Sequence, residues 1–209
     1  MSKEISLLKI GLIGLGEQMR DNLIPVLNLL ENVEIVAMCD LVTNNLIPQN
    51  INFYTNYERM LEIEKLDIVV VASYPEVHEK VLEICILKNI NVFIEKPPTY
   101  TLAKIQELVK LFEKEKPTIG FGMNFNYAKS IQKLDQFISQ NKSEVGEIEH
   151  IRIEHLASKP KEFRFWKMTN LLDCFLLSQA IHPLALANKY INNNSVKIRD
   201  TSYVKNDSI

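Results

Sequence analysis

The stretch that decides the fold is Leu7–Met19, which reads LLKIGLIGLGEQM. Before the glycine turn only Lys9 is charged, and such an apolar run predicts a buried first strand. Gly14 permits a tight turn, and Gly16 lets backbone N–H groups approach a pyrophosphate at the start of the helix that follows. Met19 stands where the usual spacing has a third glycine, so we expect this helix to lie slightly farther from the strand.

A second predicted strand, Val33–Cys39, ends at Asp40. An acid about 20 residues beyond such a glycine turn accepts a ribose 2′-hydroxyl in dinucleotide-binding domains. The two signals together predict a dinucleotide site, to which Glu17 and Gln18 at the helix start also belong. NADP sites usually place an arginine beside the acid. Residues 41–45 contain no cation, so NAD is predicted in preference to NADP.

A strand-like run, Ile90–Ile94, stops at Glu95 and Lys96, which Pro97 and Pro98 follow. Proline fixes its own φ and drives the preceding residue away from helical geometry, so Lys96 leaves the sheet in a restricted, extended conformation. Ligands of open α/β sheets bind just past the carboxyl ends of strands, which makes this lysine a candidate site residue. A solvated loop lysine is the plainer interpretation.

Strands and helices alternate through the first part of the chain. Helices are predicted over 57–64, 76–88 and 101–114, further strands over 66–71, 91–95 and 118–121, and an irregular crossover over 43–52. This alternation predicts an α/β fold, with a doubly wound parallel sheet of the Rossmann type over residues 1–121. Right-handed crossovers bring the strand ends to one edge, where Gly14, Asp40, Ser73 and Lys96 would meet.

Residues 122–209 are predicted to form a second, truncated α+β domain with an open sheet. Its expected elements are a helix over 127–140, an alternating strand over 148–156, an apolar helix over about 171–190 and a short strand over 195–198. Two strands cannot bury both sides of so long an apolar helix. Either a partner chain completes this domain or the chain is a shortened version of something longer.

Composition excludes several classes of partner. The formal net charge is −2, which gives no electrostatic reason to expect nucleic acid or an anionic membrane. The three cysteines are far apart in apolar surroundings, which indicates reduced core thiols. Lys9 and the glycine turn argue against a signal peptide, and no apolar segment is long enough to span a bilayer, so a cytoplasmic location is predicted. His150 and His155 would face opposite sides of their strand, so no metal site is predicted.

With the glycine turn, Asp40, the run Ser73–His78 and the corner Glu95–Pro97 in place, the chain resembles the Gfo/Idh/MocA family of oxidoreductases. The resemblance covers the first domain and the second as far as His182. It implies an enzyme that transfers a hydride between NAD or NADP and a hydroxyl or keto carbon of a sugar-like or polyol substrate. It also implies that the sheet of the second domain forms the interface of a homo-oligomer.

Carried across by position, the resemblance makes Lys96 a catalytic contact to the reacting hydroxyl and Glu95 a contact near the nicotinamide ribose. It also implies that Ser73, Pro75 and His78 line the cofactor. A histidine at this place more often supports a helix than touches a ligand, so a supporting role for His78 stays open.

The second catalytic element of the family is an aspartate and a histidine one helical turn apart. His182 occupies the histidine position, and Ser178 occupies the aspartate position. A histidine titrates near neutral pH and suits removal of the hydroxyl proton, whereas a serine cannot fix the imidazole as a carboxylate would. Two hypotheses therefore stay open: an NAD-dependent dehydrogenase, and a catalytically weak or inactive NAD-binding or regulatory protein.

Further residues allow two interpretations each. Asn124 and Asn126 either reach the cleft or make a loop turn. His155 either points at substrate or is buried. Trp166 is interpreted as a core residue in preference to a sugar platform, and a purely structural histidine is the plainer interpretation of His182. A scaffold that assembles oligomers without any dinucleotide is the third hypothesis for the chain.

Overall fold

The computed structural model describes residues 7–42, 47–156 and 175–191 of the chain. Its strands are β1 (Leu8–Ile13), β2 (Val33–Cys39), β3 (Asn52–Tyr54), β4 (Ile68–Val71), β5 (Asn91–Ile94) and β6 (Ile119–Phe121). Its α-helices are α1 (Ile24–Leu27), α2 (Tyr57–Ile63), α3 (Pro75–Leu87), α4 (Leu102–Glu115), α5 (Lys129–Gln140), α6 (Lys142–Val145) and α7 (Ile181–Tyr190). Two π-helices, Gln18–Leu23 and Leu176–Ala180, lead into α1 and α7, and a 3-10 turn, Asn124–Tyr127, comes after β6.

The strands form one six-stranded sheet in the order β3-β2-β1-β4-β5-β6. All of its neighbouring strands pair in parallel. The chain moves outward from β1 to β3 and then returns past β1 to build the other half from β4 to β6. This order confirms the prediction of a doubly wound α/β fold, and it places the reversal between β1 and β4. Open sheets of this kind bind ligands beyond the strand ends at that reversal.

Both faces of the sheet are covered by helices. On one face, α2, α3 and α4 pack in a single apolar cluster with strand residues that include Val69 and Val71. On the other face, the first π-helix and α1 pack in a second cluster with strand residues that include Leu12 and Val70. Successive residues of a strand point to opposite faces, so a strand covered on both sides needs a continuous apolar run. The VVV run in β4 meets that requirement.

Two cysteines lie in this core. Cys39 ends β2, Cys85 lies in α3, and both are free and buried. Burial raises the pKa of Cys39 to about 11, with the neighbouring Asp40 adding to the effect. Burial likewise raises the pKa of Cys85 to about 12. Both thiols match the expectation of reduced core cysteines, and Cys174 lies outside the described residues.

Local sequence signals set where the helices begin and end. The Asn56 side chain accepts a hydrogen bond of 2.8 Å from the Arg59 N–H at the start of α2, and Thr101 caps α4 through its hydroxyl. Side-chain acceptors of this type satisfy the N–H groups that the first helical turn leaves unpaired. Helix α4 ends where Lys116 takes a left-handed conformation with φ 54°.

Two sequence expectations differ from the structure. Strand β3, Asn52–Tyr54, was not predicted, because it has only three residues and begins at the last residue of the expected crossover. The strand expected over 148–156 is wrong: these residues take no strand conformation. Their alternating pattern needs a neighbouring strand to become a ladder, and the described part of the chain supplies none beside them. The strand expected over 195–198 and the first residues of the helix expected over 171–190 lie outside the described residues.

Within the described ranges, none of the helices combines the length and the apolar character that crossing a bilayer would take. The division of the chain at residues 121 and 122 stays a prediction. The sheet ends at Phe121, and the described residues beyond it are helical or without regular structure. The carboxyl edge of the sheet faces α7 across a cleft.

Candidate active site

The glycine turn after β1 is held against the strands on both sides. Gly14 has φ +82°, and an added Cβ would lie 2.4 Å from the Ala72 carbonyl oxygen beyond β4. Its N–H donates to the Cys39 carbonyl at 2.9 Å. The Asp40 carboxylate accepts the Leu15 N–H through Oδ2 at 2.6 Å. Gly14 and Asp40, predicted from distant parts of the sequence, therefore meet at one turn.

The first π-helix begins just after this turn. Met19, at the position of the missing third glycine, is completely buried in the cluster between this helix and the sheet. Gly16 faces open space, because an added Cβ would meet nothing within 4 Å. The Gln18 amide donates to the Glu95 carboxylate at 2.8 Å and accepts from Asn22 at 2.9 Å. The helix start is thereby tied to the end of β5.

His78 supports the corner that carries Lys96. The Ser73 N–H donates to His78 Nε2 at 3.1 Å, so the ring proton is on Nδ1, which lies 2.8 Å from the Pro97 carbonyl and donates to it. Burial lowers the pKa of this imidazole, although the Pro97 carbonyl opposes the shift. His78 is 1% exposed, and Pro75 is also buried. Neither residue lines the cleft between the sheet edge and α7, and His78 supports the corner through its two hydrogen bonds. That Pro75 and His78 line the cofactor stays a prediction.

Glu95 and Lys96 follow directly after β5 and carry opposite charges. The Lys96 ammonium donates to the Ser178 carbonyl in the second π-helix at 3.1 Å. Burial lowers the pKa of this ammonium, and the Glu95 carboxylate opposes the shift. Glu95 is buried, and Gly122 leaves it room, because a Cβ at Gly122 would lie 2.8 Å from its carboxylate. The corner thus carries an ammonium and a carboxylate on neighbouring residues. The Ser178 carbonyl orients the ammonium and the Gln18 amide orients the carboxylate.

His182 is held by an aromatic ring. The Phe125 ring stacks on the imidazole with 4.8 Å between centroids and an interplanar angle of 24°. The same phenyl ring meets His155 edge-on at 5.7 Å. Burial lowers the pKa of His182, and electrostatic interactions with Lys96 and His155 lower it further. Its Nδ1 is buried and has no hydrogen-bond partner among the described residues.

A cleft of about 760 Å³ opens between the sheet edge and α7. The predicted site residues that line it are Glu17, Gln18, Ser73, Glu95, Lys96 and His182. Asn124 and Tyr127 line it as well, so Asn124 reaches the cleft. Gly14, Gly16 and Asp40 lie outside this cleft, at the ends of β1 and β2.

Phe125 is the site residue that sequence reasoning missed. It lies in a four-residue 3-10 turn after β6, where no periodic pattern singles out one aromatic residue. Its two polar neighbours, Asn124 and Asn126, drew attention because amides are common in both turns and ligand sites. The signal that would have found Phe125 is spatial, since its two histidine partners lie 30 and 57 positions away.

Residues 8–123 match a family model, GFO_IDH_MocA, described as an oxidoreductase family with an NAD-binding Rossmann fold. The chain belongs to the Gfo/Idh/MocA family. The match covers more than half of the chain and contains the glycine turn, Asp40 and the Lys96 corner. It ends before Ser178 and His182, so the family match itself says nothing about those two residues.

Three relatives of this Gfo/Idh/MocA chain illustrate the range of similarity. Inositol 2-dehydrogenase of Salmonella paratyphi B is 26% identical over 147 residues, which are 67% of this chain and 43% of the relative. A dehydrogenase from Chromobacterium violaceum has a TM-score of 0.74 and 32% identity, covering 88% of this chain and 55% of that one. The scyllo-inositol dehydrogenase of Lactobacillus casei, solved with NAD(H) and scyllo-inositol, has a TM-score of 0.61 at 18% identity, over 68% of this chain and 43% of that one. The last likeness shows the fold alone, and the chain spans less than half the length of the curated relative.

Proposed function

We propose that this protein binds NAD(H) along the carboxyl edge of the sheet. Gly16 supports this because the space beside it is open at the start of a helix, where N–H groups attract phosphate. Asp40 would accept the adenosine ribose hydroxyls next to the glycine turn, and Glu95 would lie near the nicotinamide ribose. An anionic Asp40 with no cation in residues 41–45 disfavours a 2′-phosphate, so NAD is proposed over NADP.

The proposed reaction is hydride transfer between NAD(H) and a hydroxyl or keto carbon of a polyol or sugar-like substrate. The observation that carries it is that the Lys96 ammonium and the His182 imidazole line the same cleft. Its other polar side chains, among them Gln18, Ser73 and Asn124, suit a ligand with several hydroxyl groups. The name of one relative, inositol 2-dehydrogenase, points to the same substrate class.

Each of the two side chains has a distinct task in this proposal. Lys96 would donate a hydrogen bond to the substrate oxygen and stabilise the negative charge that develops there. His182 would take the hydroxyl proton, because burial and then the nearby Lys96 ammonium lower its pKa and so favour the neutral imidazole. When bound, the nicotinamide supplies the hydride acceptor. Glu95 would help to hold Lys96 charged, since its carboxylate favours the ammonium form.

The decisive experiment separates binding from turnover. Isothermal titration with NAD and NADP measures the cofactor preference, and a panel of inositols and sugars is then screened for NADH formation. Lys96→Met should abolish turnover while NAD still binds, because the cation acts on the substrate oxygen. Lys80→Met is the matched control, since Lys80 is exposed on α3. Equal turnover in the two variants would remove Lys96 from the mechanism.

A second candidate is a catalytically weak or inactive NAD-binding protein of the same fold. Ser178 favours it, because a serine stands where the resemblance expects the carboxylate that fixes the histidine. NAD binding without turnover across the whole panel would support this candidate. Ser178→Asp should then raise turnover above zero if only the carboxylate is missing.

A homo-oligomer is also part of the proposal, but the described residues beyond Phe121 contain no strand of the sheet that was expected to form its interface. Large apolar side chains are exposed there, with Phe137 at 54%, Val145 at 50% and Leu184 at 62% exposure. Apolar groups of this size on a surface mark interaction sites when they are contiguous. Sedimentation equilibrium at micromolar concentration measures the assembly directly, and a monomer at every concentration would contradict it.

A further inference from the structure

Among the described residues, no carboxylate pairs with the His182 imidazole, whose Nδ1 has no hydrogen-bond partner there. The residue one turn before it is Ser178, whose hydroxyl is buried without a hydrogen-bond partner among the described residues. The Ser178 carbonyl contacts Lys96. A catalytic imidazole nevertheless needs a fixed ring plane, because proton transfer requires a hydrogen bond of defined direction to the reacting group. A ring that rotates freely about its χ2 bond would spend most of its time misdirected.

The aromatic ring that stacks on His182 belongs to Phe125. The two planes are 24° from parallel with 4.8 Å between centroids, which is within the range of offset aromatic stacking. Rotation of the imidazole about χ2 would drive its edge into the face of the phenyl ring. Stacking therefore limits the same torsion that a hydrogen-bonded carboxylate limits, and it does so without adding a negative charge.

The 3-10 turn that carries Phe125 is tied to α7. This turn comes soon after β6, and its Asn126 carbonyl accepts a hydrogen bond from Lys189 in α7. Lys189 also pairs with Asp135 of α5, to which Tyr190 donates at 2.8 Å. The turn that carries Phe125 and the helix that carries His182 are thus fastened to each other a few residues from the stack.

We propose that Phe125 is the positioning residue of His182, orienting the imidazole by stacking where the family pattern has a carboxylate. Its importance for turnover rests on the proposed dehydrogenase function, whereas the stacking itself does not. In the part of the chain that the structure describes, the charged or titratable groups that act on the imidazole are Lys96 from the end of β5 and His155 from the segment after α6. Both disfavour an imidazolium. The stacked ring adds to that preference by keeping water from one face of the imidazole.

The stacking is tested first in the wild-type protein by NMR. The chain contains four histidines, so the imidazole C–H signals can be assigned with His→Gln variants of each in turn. A phenyl face against His182 shifts the signals of that ring upfield, and Phe125→Leu should return them to ordinary positions. Phe125→Tyr keeps the ring and should keep the shift. Unshifted His182 signals in the wild-type protein would overturn the proposal without any variant having to fold.

Titration of the same signals tests the positioning role separately from a merely structural one. In Phe125→Leu the imidazole gains water on one face, so its pKa should rise toward the ordinary value of about 6.5, while Phe125→Tyr should titrate like the wild type. An unchanged His182 titration in a folded Phe125→Leu variant would overturn the proposal.

The activity arm uses the same variants. In Phe125→Leu, kcat should fall between about two- and tenfold, the factor that an aromatic pair of about 0.5–1.5 kcal/mol represents. The KM for NAD should stay unchanged, because Phe125 is remote from the glycine turn in the chain and does not line the cleft. A fall in NAD affinity with kcat retained would overturn the positioning role. Absence of turnover in the wild type would refute the dehydrogenase proposal alone, since the NMR results do not depend on it.

Discussion

Gly14 offers the sharpest test of the turn on which the site depends. In Gly14→Ala the new methyl group would lie 2.4 Å from the Ala72 carbonyl oxygen and 2.9 Å from its carbon, both backbone atoms. A left-handed φ of +82° costs a non-glycine residue about 1–2 kcal/mol. Relieving the contact requires the backbone between β1 and β4 to shift, which adds about 1–3 kcal/mol. The free energy of unfolding should therefore fall by about 2–5 kcal/mol.

Gly16→Ala is the matched control two residues away. Its new methyl group would meet nothing within 4 Å, and Gly16 does not have a positive φ. Its unfolding free energy should stay within about 0.5 kcal/mol of the wild type. Its affinity for NAD should nevertheless fall, because the methyl group would occupy the open space proposed for the pyrophosphate.

Urea unfolding followed by far-UV circular dichroism measures both variants, with isothermal titration for NAD on the folded proteins. The reasoning predicts one variant that loses stability and another that keeps stability but loses affinity. Equal stability of Gly14→Ala and the wild type would refute the strain argument. A similar loss of stability in both variants would show that the turn tolerates no side chain at all, which contradicts the open space beside Gly16.

The remaining predictions concern three side chains, each of which accepts a hydrogen bond from a backbone N–H. Because burial lowers the pKa of His78 below its ordinary 6.5, the unfolded chain binds more protons, and unfolding free energy should fall as pH drops through about 6.5. In His78→Gln this decline, followed by urea unfolding at several pH values, should be shallower. Asp40→Asn keeps an acceptor for the Leu15 N–H but loses the charge, so titration should show NAD affinity about tenfold lower with stability kept. Asn56→Ala removes the cap of α2 and should cost about 1 kcal/mol in urea unfolding, whereas Asn56→Asp should not.

The nucleotide half of the molecule could be predicted because its signals are local. The glycine turn after β1 and the acid after β2 each follow an apolar run, and parallel topology then brings the two together. The same logic led to Lys96, whose strand ends at the same edge. Strand β3 was not predicted because three residues are too few to show an alternation of apolar and polar side chains.

The rest of the site depends on contacts between distant residues. An alternating pattern over 148–156 predicted a strand, but a strand also needs a neighbour, and the pattern does not provide one. The sequence allowed two roles for His78. Its supporting role follows from the hydrogen bonds that its two ring nitrogens make with Ser73 and Pro97, which are spatial contacts. Phe125 carries no motif, because its role comes from two histidines that the chain brings to it from far away.

The two buried thiols, Cys39 and Cys85, can be used to measure how often the core around the sheet opens. A thiol reacts as its thiolate, and with a pKa of about 11 for Cys39 only about one molecule in ten thousand has that form at pH 7. Alkylation must therefore wait for the core to open, as amide exchange does. Cys39 in β2 and Cys85 in α3 belong to the same apolar cluster, so both labelling rates report on the opening of that cluster. A ligand that stabilises the sheet should slow both rates together.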